Sequence, residues 1–252
     1  MLTLQRLQRL SLTRRPAGQR AVAQLILRPN YALAPVRMRL EGLERLPEER
    51  VIFAMNHTDR YNYWPFQYSL YRRTDRFTAT WVKGKYYETK FVGAFMEAMN
   101  NIPTVSRGYL ITRDLLSTME RRPTDEEYRA LRAHVDAGEP LDPAMVKELA
   151  PLLTEPHDMI GQPFDPAAGP WREAIDRLYR QMMRRFVELN DEAFETGLDV
   201  LVFPEGTRSL RLSQGRIGLS QLALHSKRTI VPVGCNGSHR AYPAASPWAR
   251  KA

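Results

Sequence analysis

Val200-Leu201-Val202-Phe203-Pro204-Glu205-Gly206-Thr207-Arg208 decides the fold of this chain. Four apolar residues run without a polar break and stop at Pro-Glu-Gly, the pattern of a short strand buried on both faces and ended by a turn. Four other runs behave alike. Val51–Met55 leads into Asn56-His57, Thr78–Val82 into Lys83-Gly84-Lys85, Ile102–Val105 into Ser106-Arg107, and Ile230–Val233 into Gly234. Helical patterns lie between several of these runs, so an α/β fold with a mostly parallel central sheet flanked by helices is expected. Ligands of such sheets collect beyond the carboxyl ends of the strands, where these polar residues sit.

Outward from this core the sequence changes character twice. Residues 1–40 hold eight arginines and no acid. Leu4, Leu7 and Leu10 share one helical face, and Ala21, Val22 and Leu25 share another beyond a break at Pro16. A basic amphipathic segment of this kind reads as a membrane-surface element or as a helical segment docked on the protein's own core. Residues 114–170 are rich in Pro, Glu, Asp and Arg and read as a helical insertion or lid. Thr124 and Glu127 form a capping-box pattern opening a helix to about Ala137, Asp142-Pro143 opens another, and Pro156, Pro163, Pro166 and Pro170 interrupt regular structure. A long helix follows from about Trp171 to Thr196, stopped by Gly197. The expected division is therefore a segment 1–40 and a domain 41–252 that carries the insertion.

The formal net charge of +9 over 252 residues suits an anionic partner. The single cysteine, Cys235, excludes an intramolecular disulfide and a cysteine-based zinc site, and reads as a buried structural thiol. No apolar run approaches the roughly 18 residues of a spanning helix, which points to a soluble protein or one lying on a membrane. Charge alone would also fit a nucleic-acid binder, but no nucleic-acid motif is present.

Two segments carry chemistry. Asn56-His57-Thr58-Asp59-Arg60-Tyr61-Asn62 places a histidine just after a strand, where a near-neutral pKa suits a general base, or where the ring simply packs. In Phe203–Ser209, Gly206 permits a tight turn and Arg208 offers a planar fork matched to phosphate oxygens. His134 and His157 read as solvated. The aromatic cluster Tyr61, Tyr63, Trp64, Phe66, Tyr68 and Tyr71 reads as core packing or as the apolar wall of a site. Lys83 and Lys85 read as strand-end lysines or as extra positive charge for an anionic group.

In order and together, these segments resemble the glycerophospholipid acyltransferase family, best known for acylating lysophosphatidate. That family pairs Asn-His-x-x-x-x-Asp with a later Phe-Pro-Glu-Gly-Thr-Arg. Asn101–Arg107 resembles its middle block and Thr229–Val233 its late Val-Pro block, so the resemblance runs from about Leu40 to Pro243. It implies transfer of an acyl group from coenzyme A or acyl carrier protein to a lysophospholipid hydroxyl in phospholipid biosynthesis. The setting implied is the cytoplasmic face of an anionic membrane, with no metal, no bound cofactor and no nucleic acid. His57 would be the base, with Asn62 and Glu205 in the catalytic group. Arg208, with Arg107, would hold the acceptor's phosphate, and Glu205 with the Gly206-Thr207 backbone would complete the site and position the acceptor.

The sequence departs from the family in three places. Asn62 stands where the family has Asp. Either it orients His57 by itself, or Asp59 supplies the carboxylate, or the site binds lipid without turnover. The insertion lengthens the gap between the middle and late blocks. The chain also ends soon after Pro232, where the family continues through another strand.

Overall fold

The computed structural model describes residues 1–33, 37–242, 246, 248 and 249. Pro243, where the family resemblance ends, lies outside them. The chain forms two compact units, both discontinuous: residues 1–10, 82–93 and 103–188 in one, and 11–81, 94–102 and 189–252 in the other. The division thus does not fall at residue 40. The first ten residues join the insertion, and the rest of the basic segment joins the unit that holds most of the sheet.

The expected strands form. They are β1 (Ile52–Met55), β2 (Thr78–Lys83), β3 (Asn101–Thr104), β6 (Asp199–Val202) and β7 (Ile230–Val233), arranged in the order β3-β2-β6-β1-β7. β1 pairs in parallel with both β6 and β7, and β6 pairs in parallel with β2. Every residue of β6 is buried, which explains the unbroken apolar run. Helix α4 (Tyr63–Thr74) follows β1, and α5 (Lys90–Ala98) joins β2 to β3.

A buried ion pair fixes the entry to the sheet. Asp199 opens β6 with no exposed surface and accepts from Arg76 Nε (2.8 Å) and Nη2 (2.5 Å) and from the Val51 amide (2.9 Å). The same guanidinium donates to the carbonyls of Pro47 and Glu49. Its donors are thus distributed over three chain segments, all within one unit.

The basic segment is used inside the protein. α1 (Leu4–Arg9) buries Leu4 and Leu7, Leu10 is buried just beyond it, and the Arg6 and Arg185 side chains donate to backbone carbonyls of Tyr87 and Leu10. The leucine face offered for membrane contact is therefore already occupied. After α2 (Ala17–Ala21) the chain runs as a π-helix over Val22–Leu27 and continues as α3 (Arg28–Leu33). The wider turn rotates the side chains off the expected stripe: Val22, Ala23 and Leu27 are buried while Ala21 and Leu25 are exposed.

The insertion is a small core of its own. α6 (Arg107–Met119), α7 (Asp125–Ala137), α8 (Pro143–Glu148) and α9 (Ala150–Leu153) precede α10 (Trp171–Glu195). The capping box at Thr124 and the Asp142 cap form as expected. The proline-rich stretch is not irregular: β4 (His157–Met159) and β5 (Gln162–Phe164) make an antiparallel hairpin through Ile160-Gly161. A two-stranded ribbon tolerates Pro163 because a strand with a free edge need not donate from every residue. His157 is not solvated either. Its Nε2 lies 3.2 Å from fully buried Asp114, its Nδ1 meets the Glu155 carbonyl at 3.0 Å, and Asp114 also accepts from the Trp171 indole at 2.7 Å.

Among the described residues, no helix is long and apolar enough to cross a membrane.

Candidate active site

The carboxyl ends of β1, β6 and β7 bring the two sequence motifs together within one unit. After β1, Asn56 turns its amide onto the end of β7. Its Nδ2 donates to the Cys235 carbonyl (2.9 Å) and its Oδ1 accepts from the Cys235 amide (2.6 Å). After β6, residues 203–206 close a turn in which the Gly206 amide donates to the Phe203 carbonyl at 3.0 Å. Gly206 has φ +68°, the left-handed conformation that favours glycine, and the nearest atoms a Cβ would meet belong to the flexible, exposed Arg216 side chain. The Ser209 amide donates to the His57 carbonyl at 2.8 Å, which joins the motifs directly, and the Phe203 ring stacks on the His57 ring with centroids 4.1 Å apart.

The state of His57 follows from its partners. Asn62 is fully buried. Its Nδ2 donates to the Asn56 carbonyl at 2.6 Å, so its Oδ1 must be the atom facing His57 Nδ1, at 3.1 Å. An amide oxygen can only accept, so Nδ1 carries the proton and Nε2 bears the lone pair. Nε2 has no hydrogen-bond partner among the described residues. Burial holds the His57 pKa below its ordinary 6.5, and the Arg208 cation adds to this. The Asn62 hydrogen bond and the charges of Asp59 and Glu205 oppose the shift without reversing it. The ring is neutral at pH 7, oriented, and open at the basic nitrogen.

Asp59 does not replace the missing carboxylate on Nδ1. One of its oxygens accepts from the Tyr61 amide at 2.8 Å, and the other is held by the hydroxyls of Ser238 and Thr58. It acts on His57 only as a nearby charge. Glu205 is buried, and its Oε2 takes the Ser213 amide and hydroxyl, both at 3.2 Å. It braces the loop after the turn. Thr207 and Arg208 are exposed, and Arg208 has no ion-pair partner among the described residues. Burial raises the Cys235 pKa, so the thiol stays protonated near neutrality, and its Sγ lies 3.7 Å from the Asn62 carbonyl.

Arg107 belongs to the other unit, and its fork is already filled. Nε and Nη2 bind Asp176 at 2.9 and 2.6 Å, Nη1 approaches Asp136 at 3.7 Å, and the guanidinium lies over the Tyr179 ring. Lys83 and Lys85 are exposed in that same unit. In the aromatic cluster, Trp64 and Phe66 are buried in two packed cores. The cavity lined by Trp64, Tyr68 and Tyr71 holds about 20 Å³, room for a water but not for an acyl chain. Core packing is therefore the role the structure gives Trp64 and Phe66. Among the described residues, no group of three or more His, Cys, Asp or Glu side chains is placed to hold a metal ion.

No protein-family model, curated protein or solved structure matches the chain.

Proposed function

We propose that the protein is an acyltransferase that moves an acyl group from a coenzyme A or acyl-carrier-protein thioester to the hydroxyl of a lysophosphatidate-like lipid at a membrane surface. The observation that carries this reading is the neutral His57, held through Nδ1 by buried Asn62 and free at Nε2, next to the Phe203–Arg208 turn. Nε2 takes the proton of the acceptor hydroxyl as its oxygen attacks the thioester carbonyl. The tetrahedral oxyanion collapses, the carbon–sulfur bond breaks, and the departing thiolate receives the proton from His57. The new ester and a free thiol are the products. Arg208, exposed and without an ion-pair partner among the described residues, takes the acceptor's phosphate, with Thr207 and the Gly206 backbone beside it. The thioester is activated already, so the chemistry requires a base and oxyanion donors rather than a nucleophilic side chain.

A second reading is favoured by one observation. Asn62 brings no negative charge to the imidazolium that forms during turnover, as would suit a lipid-binding module on the same fold. Incubating the protein with palmitoyl-coenzyme A and lysophosphatidate on anionic vesicles should yield phosphatidate, detected by mass spectrometry. No acylated product across both donor types and a panel of lysolipids, with lipid binding intact, would leave the binding module standing in its place.

A further inference from the structure

The loop that carries the site's phosphate-facing side continues as Arg208-Ser209-Leu210-Arg211-Leu212-Ser213-Gln214-Gly215-Arg216-Ile217, and it is anchored to the site. The Ser209 amide donates to the His57 carbonyl, the Ser209 hydroxyl accepts from the Arg211 amide at 3.1 Å, and exposed Ser213 binds Glu205 through both amide and hydroxyl. The Arg216 amide donates to the Pro204 carbonyl at 2.8 Å and closes the base of the loop. Between these anchors, three large apolar side chains stand in water beside polar ones. Leu210 is 67% exposed, Leu212 81% and Ile217 71%. Leaving three large aliphatic side chains in water on a loop pinned at three points has no folding benefit, and apolar side chains exposed together on one short loop point to a docking site.

The charge around these residues names the occupant. Arg208, Arg211 and Arg216 are interleaved with them, all exposed, and from Gly206 to the last residue the sequence contains eight lysines and arginines and no acid. Aliphatic side chains interleaved with arginine fit an anionic bilayer, where the former enter the acyl boundary and the latter meet lipid phosphates. We infer that the loop 208–217 is a bilayer-docking lip built onto the catalytic turn, so that the lipid acceptor passes to His57 directly from the membrane in which it resides. What the site draws from the bilayer rests on the acyltransferase reading; the docking itself does not. The Ser209–His57 backbone bond ties the lip to the backbone of the base.

Sedimentation with phosphatidylcholine vesicles, with and without phosphatidylglycerol, tests the lip apart from turnover. The wild type should partition onto the anionic vesicles and be released by salt, and His57→Ala should partition equally well. Leu210→Ser with Leu212→Ser, at exposed positions that leave the fold intact by circular dichroism, should weaken partitioning at least about tenfold. Leu210→Ile with Leu212→Ile should keep it. Wild-type partitioning of the double serine variant, or no partitioning of the wild type, overturns the inference. So does a change of oligomeric state in the serine variant with vesicle binding untouched, which would assign the lip to a second copy of the chain. Vesicle binding without turnover would sink the acyltransferase reading and leave the lip standing.

Discussion

Replacing Asn62 by Asp restores the residue that the resembled family carries, yet the structure expects it to harm this protein. The Asn62 side chain is fully buried, and its Nδ2 donates to the Asn56 carbonyl at 2.6 Å. A carboxylate puts an oxygen in that place. The hydrogen bond is lost and a buried carbonyl faces a like dipole, at a cost of about 1–3 kcal/mol. The charge-assisted bond to His57 Nδ1 returns about 1 kcal/mol of this. The net loss, up to about 2 kcal/mol, corresponds to a fall in melting temperature of up to roughly 8 °C for a chain of this size. The cost depends on charge: burial and the carbonyl raise the pKa of the introduced carboxyl in the folded state. The penalty is therefore absent below the unfolded value of about 3.9, grows between the two pKa values, and is complete above the folded one. Urea unfolding midpoints of Asn62→Asp and wild type across that range measure it. Turnover should rise by less than about tenfold, since the amide-for-carboxylate penalty of about 10⁴ known from the serine-protease triad presumes a pocket built for the charge. A gain of about 10³ or more with unchanged stability would refute the reasoning and show a carboxylate site that has decayed.

The low pKa of His57 should appear as an acid limb in kcat/KM with its midpoint below 6.5; a midpoint above 6.5 would contradict burial as the dominant influence on the ring. In the insertion, burial opposes the charge on His157, but the Asp114 hydrogen bond and the Glu155 carbonyl outweigh it and raise the pKa. The stability this pair contributes is thus complete below the unfolded value of about 6.5 and is lost as pH rises through the folded one. Urea midpoints of the wild type should fall over that interval, and His157→Asn should flatten the slope. Arg76→Ala should cost up to about 3–5 kcal/mol, because it removes the bidentate partner of buried Asp199 at the start of β6 and leaves the Val51 amide and Arg50, at 4.0 Å, beside the charge; a loss below about 1 kcal/mol in chemical denaturation would show that these other groups hold the carboxylate.

The sheet is legible because each strand is a short apolar run bounded by polar residues, and nothing but burial on both faces accounts for Val200–Phe203 or Val51–Met55. The partner of Asn62 is not legible. Its second hydrogen bond goes to the Asn56 backbone carbonyl, and a carbonyl leaves no mark in a sequence. The His157–Asp114 pair spans 43 residues and reads as two solvated polar groups until Trp171 is seen to close over it. Pro163 reads as a breaker because its tolerance depends on having only one partner strand. The leucines of α1 follow the period of an amphipathic helix, but periodicity does not say what covers a face. The loop after Arg208 leaves a signal that could have been read: eight basic residues and no acid from Gly206 onward, with Leu210, Leu212 and Ile217 among them.

Release of free thiol from palmitoyl-coenzyme A in the presence of lysophosphatidate, compared between wild type and His57→Ala on anionic vesicles, tests the central claim most directly. Release that needs the acceptor and falls about 10²–10⁴-fold in the variant is the expected result. An unchanged rate in His57→Ala would contradict the assignment of Nε2 as the base.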